Sequence, residues 1–203
     1  MSEKIKYFLL GFFLFCFTSV AFADLLKSQQ VFVSNDKKVQ LTQKCFSKGE
    51  GNLSCNYYAP AASGEEELIL EGVQYDDSLK WVGNVARIHV GSCGSPCFID
   101  AFIDAGYKAD IYQNMIVLDE NNLCIAYPDD DAVVFKKLFS GKPVKKLSYK
   151  EYPYLQGPAQ LALIEATVAT NGDMTFSFYA TDLPDGGEGD VEITIENPCE
   201  SSK

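Results

Sequence analysis

The chain has 203 residues, a formal net charge of −11, a single histidine and seven cysteines. A protein this acidic repels nucleic acid and anionic membrane surfaces, and at low salt it is steered toward basic partners. One histidine, with the cysteines engaged in disulfides, leaves no ligand set for a zinc site, and no cofactor motif is present.

The N-terminus reads as a cleaved secretory signal peptide over residues 1–23. Lys4 and Lys6 supply a positive n-region, residues 7–20 form an apolar stretch rich in Phe and Leu, and Ala21-Phe22-Ala23 offers small residues at a signal peptidase site. The apolar run is shorter than the roughly 20 residues that span a bilayer core of ~30 Å. Phe13-Leu14-Phe15 ahead of Cys16 lacks the small residues of a lipid-attachment site. The expected mature chain begins at Asp24, has 180 residues and contains no membrane span. Its expected location is a bacterial periplasm, with secretion to the medium as the alternative. Losing Glu3, Lys4 and Lys6 takes the formal charge from −11 to −12.

Beyond residue 24 the pattern is mostly period two, broken by turn chemistry, which predicts antiparallel β structure. Strands are expected over residues 30–34, 39–47, 53–59, 68–75, 81–90, 115–118, 123–127, 132–139, 161–170, 174–180 and 191–196. Residues 60–67 read as a polar surface loop, and residues 182–190 as a Gly-rich one. Residues 98–105 fit either a strand or a short helix, and strand neighbours favour the strand, because eight residues make a marginal helix. Asn171-Gly172 is the strongest short hairpin signal in the chain. The expected fold is mainly β: an antiparallel β-sandwich, barrel or propeller-like meander of about ten short strands at close spacing. It is read as one domain over residues 24–203, with residues 156–158 as the candidate boundary between two subdomains.

Six cysteines remain after the signal: Cys45, Cys55, Cys93, Cys97, Cys124 and Cys199. An even number in an oxidising compartment implies three disulfides. Cys45 and Cys55 are symmetric about Gly49-Glu50-Gly51 and should face each other across a hairpin. Cys93 and Cys97 enclose Gly-Ser-Pro, which permits the tight return that a bridge needs. Cys124 and Cys199 are then left to pair.

The candidate chemistry is sparse. A Cys-x-x-x-Cys pair followed by a helix would faintly resemble a thioredoxin-type redox site, but its spacing has one residue too many and no cis-proline segment follows; a structural bridge is the expectation. His89 alternates with Ile88 and Val90 as an ordinary strand residue, and no G-x-S-x-G elbow accompanies it. Residues 182–190 are oxygen-rich without EF-hand spacing. Ser34-Asn35-Asp36-Lys37 and Asp104-Ala105-Gly106 match catalytic motifs whose companions are missing. With no catalytic or metal-ligating set, the first expectation is a non-enzymatic binding or inhibitor protein. Such a protein would neutralise a basic cell-wall hydrolase or toxin, as an immunity protein does. Its contact residues are expected in the acidic turn Asp129, Asp130 and Asp131 and among the aromatics Tyr149, Tyr152 and Tyr154. The alternatives are a thiol-disulfide oxidoreductase using Cys93 and Cys97, and an envelope structural or assembly component.

Overall fold

The computed structural model describes residues 25–47, 53–74, 79–94, 97–148, 151, 163–180, 183 and 186–200; for residues 25, 74, 90–94, 97, 163 and 164 it describes the backbone alone. The signal peptide at 1–23 and the boundary at 156–158 lie outside the described residues. Within them the protein is all-β, with fifteen strands in four antiparallel sheets.

The first sheet runs β1 (Leu25–Val33), β2 (Gln40–Ser47), β3 (Leu53–Pro60) and β4 (Glu66–Gln74), each paired with the next. The second follows with β5 (Lys80–Val82), β6 (Val85–Gly94), β7 (Cys97–Ile103) and β8 (Ala109–Gln113). The third contains β9 (Val117–Asp119), β10 (Cys124–Asp129), β11 (Ala132–Lys137) and β12 (Lys145–Ser148). The fourth has β13 (Leu163–Val168), β14 (Met174–Ala180) and β15 (Gly189–Ile195). Of the architectures expected from the sequence, the meander describes this connectivity, since within each sheet every strand pairs with its neighbour in the chain. Among the described residues no sheet closes on itself into a barrel.

Alternation along the strands dictates how the sheets stack. Leu41, Tyr57 and Leu70 of the first sheet share one apolar cluster with Ala86, Ile88, Ala101 and Ile103 of the second. The opposite face of the second sheet gives Val85, Phe102 and Tyr112, which pack with Ile125 of β10 and with Leu138 just beyond β11. The third sheet turns Ala126, Val133, Phe135 and Leu147 toward Met174, Phe176, Phe178, Ile193 and Ile195 of the fourth. The second and third sheets are therefore buried on both faces. Their strands carry apolar residues on odd and even positions alike, as Ala101, Phe102 and Ile103 do.

The segmentation departs from expectation in places with clear causes. The strand expected over 81–90 is two strands, because Gly83 adopts a φ of +58° and turns the chain between Val82 and Val85. The ambiguous residues 98–105 are strand as far as Ile103, after which Asp104 folds a turn by accepting the backbone N–H groups of Gly106 and Lys108. The polar loop expected over 60–67 is shorter, since Glu66 and Glu67 already belong to β4. β8 and β12 were not expected at all. The runs 68–75 and 81–90 do not sit side by side but in different sheets.

Two of the expected disulfides are present. Cys45 pairs with Cys55, at directly opposed positions of β2 and β3, and Cys124 pairs with Cys199. The latter ties the start of β10 to the turn that follows β15. Gly94 opposes Cys97 in the β6–β7 pairing, but the Cys93 and Cys97 side chains, and with them the third expected bridge, lie outside the described residues.

Candidate functional site

The face that the second sheet turns toward the third is unusually polar. Pairing places Arg87 opposite Phe102 and His89 opposite Asp100 across β6 and β7, then Asp110 opposite Phe102 and Tyr112 opposite Asp100 across β7 and β8. Paired residues share a sheet face, so Arg87, His89, Asp100, Asp110 and Tyr112 form one polar grid around Phe102. Arg87 and His89 are the only arginine and the only histidine of the chain. Both reach Asp100: Arg87 Nε donates to Oδ1 at 3.1 Å, and His89 Nδ1 stands 3.6 Å from the same oxygen. Asp100 is buried, at 5% exposure, so Arg87 supplies the charge that such a carboxylate requires.

The second carboxylate of the grid is a hub between sheets. Asp110 accepts the Tyr112 hydroxyl at 2.7 Å and the Phe139 backbone N–H at 2.7 Å, with Lys136 Nζ at 3.4 Å. Burial opposes its charge, yet the Tyr112 and Phe139 hydrogen bonds and the Lys136 ammonium together hold the carboxyl below the usual aspartate range. Burial, and then the Asp110 bond, pushes the Tyr112 hydroxyl well above the ordinary tyrosine range. Lys136 lies 5.1 Å from the Tyr112 ring centroid, and the Tyr127 ring lies 5.4 Å from that of Tyr112. These groups are consumed in joining β8 to β11. They form a polar seam between the two sheets.

The grid ends at Phe98, half exposed and 6.0 Å from His89 by ring centroids. Asn114 clamps this position from both sides. Its Oδ1 accepts the Phe98 backbone N–H at 2.8 Å, and its own N–H donates to the Phe98 carbonyl at 2.7 Å. Asn114 has a φ of +54°, a left-handed conformation that asparagine tolerates better than most residues. Beside it lies an open polar depression of about 270 Å³, lined by Gln113, Asn114, Pro128, Asp129 and Asp130. One wall is the end of β8 and the other is the β10–β11 turn.

Asp129, Asp130 and Asp131, expected as contact residues, occupy that turn and are exposed. Asp129 is bound to Lys146 at 2.9 Å, a contact that lowers the pKa of the carboxyl and raises that of the ammonium. No cation pairs with Asp130 or Asp131 among the described residues. Tyr149, Tyr152 and Tyr154 lie outside the described residues. Ser34 of the S-x-x-K match is buried and holds a turn, donating to Asp36 and accepting the Val39 N–H. Among the described residues no group of three or more His, Cys, Asp or Glu is placed to hold a metal ion, and no helix is long and apolar enough to cross a membrane.

Sequence reasoning weighed His89 alone and missed Arg87, Phe98 and Asn114. The alternation Arg87-x-His89 was a usable signal, since it put the only arginine and the only histidine on one strand face. No protein-family model matches the chain, and no curated protein or solved structure shows significant similarity to it.

Proposed function

We propose that this protein is a non-enzymatic binding protein of the bacterial envelope that captures a basic protein, as an inhibitor or immunity protein captures a cell-wall hydrolase or toxin. The observation that carries this reading is a polar depression with the exposed Asp130, which pairs with no cation among the described residues, on one wall and Asn114, which holds the half-exposed Phe98, on the other. An aromatic anchor beside exposed negative charge is the composition of a protein-recognition patch. The formal charge of −12 on the expected mature chain adds long-range attraction for a basic partner. In the polar grid behind the patch, Asp100 is held by Arg87 and Asp110 by Tyr112 and Phe139, which supports a rigid backing for it.

The test is capture of a basic protein from envelope extract by the immobilised chain, followed by kinetics at two salt concentrations. Asp130→Asn with Asp131→Asn should slow association several-fold and flatten its salt dependence, leaving dissociation little changed. Phe98→Ala should act chiefly on dissociation, making it roughly tenfold or more faster. Retention of no partner at low salt, or of acidic partners only, ends this reading.

A further inference from the structure

The two edges of a sheet differ in how they are guarded against a further strand. Natural edges carry charges, bulges or prolines, or are short. Every other edge strand among the described residues obeys that rule. β5 and β9 have three residues each, with Lys80 and Asp119; β8 carries Asp110, β12 Lys145 and Lys146, β13 Glu165, β15 Asp190 and Glu192, and β4 three glutamates. None of them has more than three consecutive uncharged residues. β1 is the exception. After Lys27 and a bulge between Leu26 and Ser28, it continues through Ser28-Gln29-Gln30-Val31-Phe32-Val33, six residues without charge, proline or irregularity.

One side of β1 pairs with β2, and the other has no strand beside it among the described residues. Phe32 opposes Leu41 and packs into the core, so Val31 and Val33 stand on the outer face, 50% and 45% exposed. We propose that this edge pairs with β1 of a second copy, antiparallel about a two-fold axis, joining two four-stranded sheets into one of eight. Charge selects this occupant. β1 has no carboxylate of its own to attract a basic strand, and Asp36 in the turn after it already accepts from Ser34 and pairs with Lys38. The uncharged run is, by contrast, compatible with itself even in a chain of strong net negative charge.

Symmetry restricts the register. A two-fold axis normal to the sheet keeps outer face beside outer face, so the axis must pass through a residue of the run. Centred on Gln30, it would set Val33 against Lys27 of the second copy. Centred on Val31, it sets Val31 against its own mate, Val33 against Gln29 and Phe32 against Gln30, and leaves Lys27 outside the paired run.

Sedimentation of the purified protein over a wide concentration range tests this, and the salt response separates it from capture of a basic partner. The mass should rise from one chain to two with concentration. Salt should strengthen the dimer by screening two like-charged copies, whereas it weakens attraction between opposite charges. Val31→Lys, which opposes two ammonium groups at the axis, should leave a monomer of unchanged circular dichroism. Val31→Cys should form a covalent dimer on oxidation, and Leu68→Cys, exposed on β4, should not. A monomer at every concentration, or a dimer that survives Val31→Lys, overturns the proposal. Should Val31→Lys fail to fold, absence of the Val31→Cys cross-link overturns it equally.

Discussion

Arg87 and Asp100 are joined across β6 and β7 by a hydrogen bond of 3.1 Å, and the carboxylate it serves is one of two buried among the described residues. Removing Arg87 leaves that charge in the interface between sheets, with His89 its remaining ion-pair partner among the described residues. Breaking a buried pair from one side is costly because the survivor stays desolvated, and Arg87→Ala should destabilise by about 3 kcal/mol. Arg87→Lys should recover part of this, since an ammonium restores the charge but lacks the planar donor fork. Urea unfolding measures both. A midpoint for Arg87→Ala equal to that of the parent would show the pair to be energetically idle.

Asp110 gives the protein a sensitivity to acid. Its folded carboxyl titrates below the ordinary aspartate value of about 3.9. A depressed folded value contributes stability that is present above the unfolded value and lost as pH falls through the folded one. Stability should therefore decline as pH drops below about 4, and Asp110→Asn should remove part of that slope. At neutral pH the same substitution should cost about 1–2 kcal/mol, because it weakens charge-assisted bonds from Tyr112 and Phe139. Denaturant titrations at pH 7 and pH 3.5 decide it. An unchanged acid slope in Asp110→Asn would remove this carboxylate as a source.

Gly172 closes the β13–β14 hairpin with a φ of +87°, and a Cβ there would lie 3.0 Å from Asn122 Nδ2 and 3.1 Å from Asn197 Oδ1. The hairpin tip thus rests on the β9–β10 turn and on the turn after β15, where Asn197 N–H also donates to Asp173. Gly64 has a similar φ of +84° with open space around it. Gly64→Ala should cost about 1 kcal/mol from backbone strain alone. Gly172→Ala adds the collision and should cost about 2–3 kcal/mol. Equal thermal shifts in the two variants would mean that the hairpin tip does not bear on those neighbours.

The elements legible in the sequence were those whose two faces differ or whose turns carry a chemical signature. Alternation and symmetric cysteines located β2 and β3 to within a residue or two, and Asn171-Gly172 located the β13–β14 hairpin. β8 and β12 escaped because Ala109-Asp110-Ile111-Tyr112-Gln113 and Lys145-Lys146-Leu147-Ser148 bury only one side chain each. They owe their strand form to partners already in place, β7 and β11. The candidate site was legible only in its acidic turn. Phe98 and Asn114 meet through backbone contacts between residues 16 apart, and the Arg87–Asp100 bond depends on the β6–β7 register, which a bulge after His89 shifts. Local pattern does not encode such register.

The two visible disulfides should differ in worth. Both are buried, so replacing either pair with alanine leaves comparable small cavities, and the difference lies in the loops they close. Cys45 and Cys55 are 10 residues apart in sequence, and Cys124 and Cys199 are 75 apart. The chain-entropy argument assigns about 3 kcal/mol to the first and about 4 kcal/mol to the second. Cys45 and Cys55 also sit on strands already held in register by backbone pairing, so their loss should leave the first sheet intact. Cys199 lies in the turn after β15, and without its bridge that turn is held to the body by side-chain contacts such as the Asn197–Asp173 bond. Cys124→Ala with Cys199→Ala should therefore lower stability by more than Cys45→Ala with Cys55→Ala. It should also speed amide exchange in β15 selectively, while exchange in β2 and β3 stays near that of the parent. A larger loss on removing the shorter bridge, or uniform exchange throughout the chain, would show that the long loop does not set the value of its disulfide.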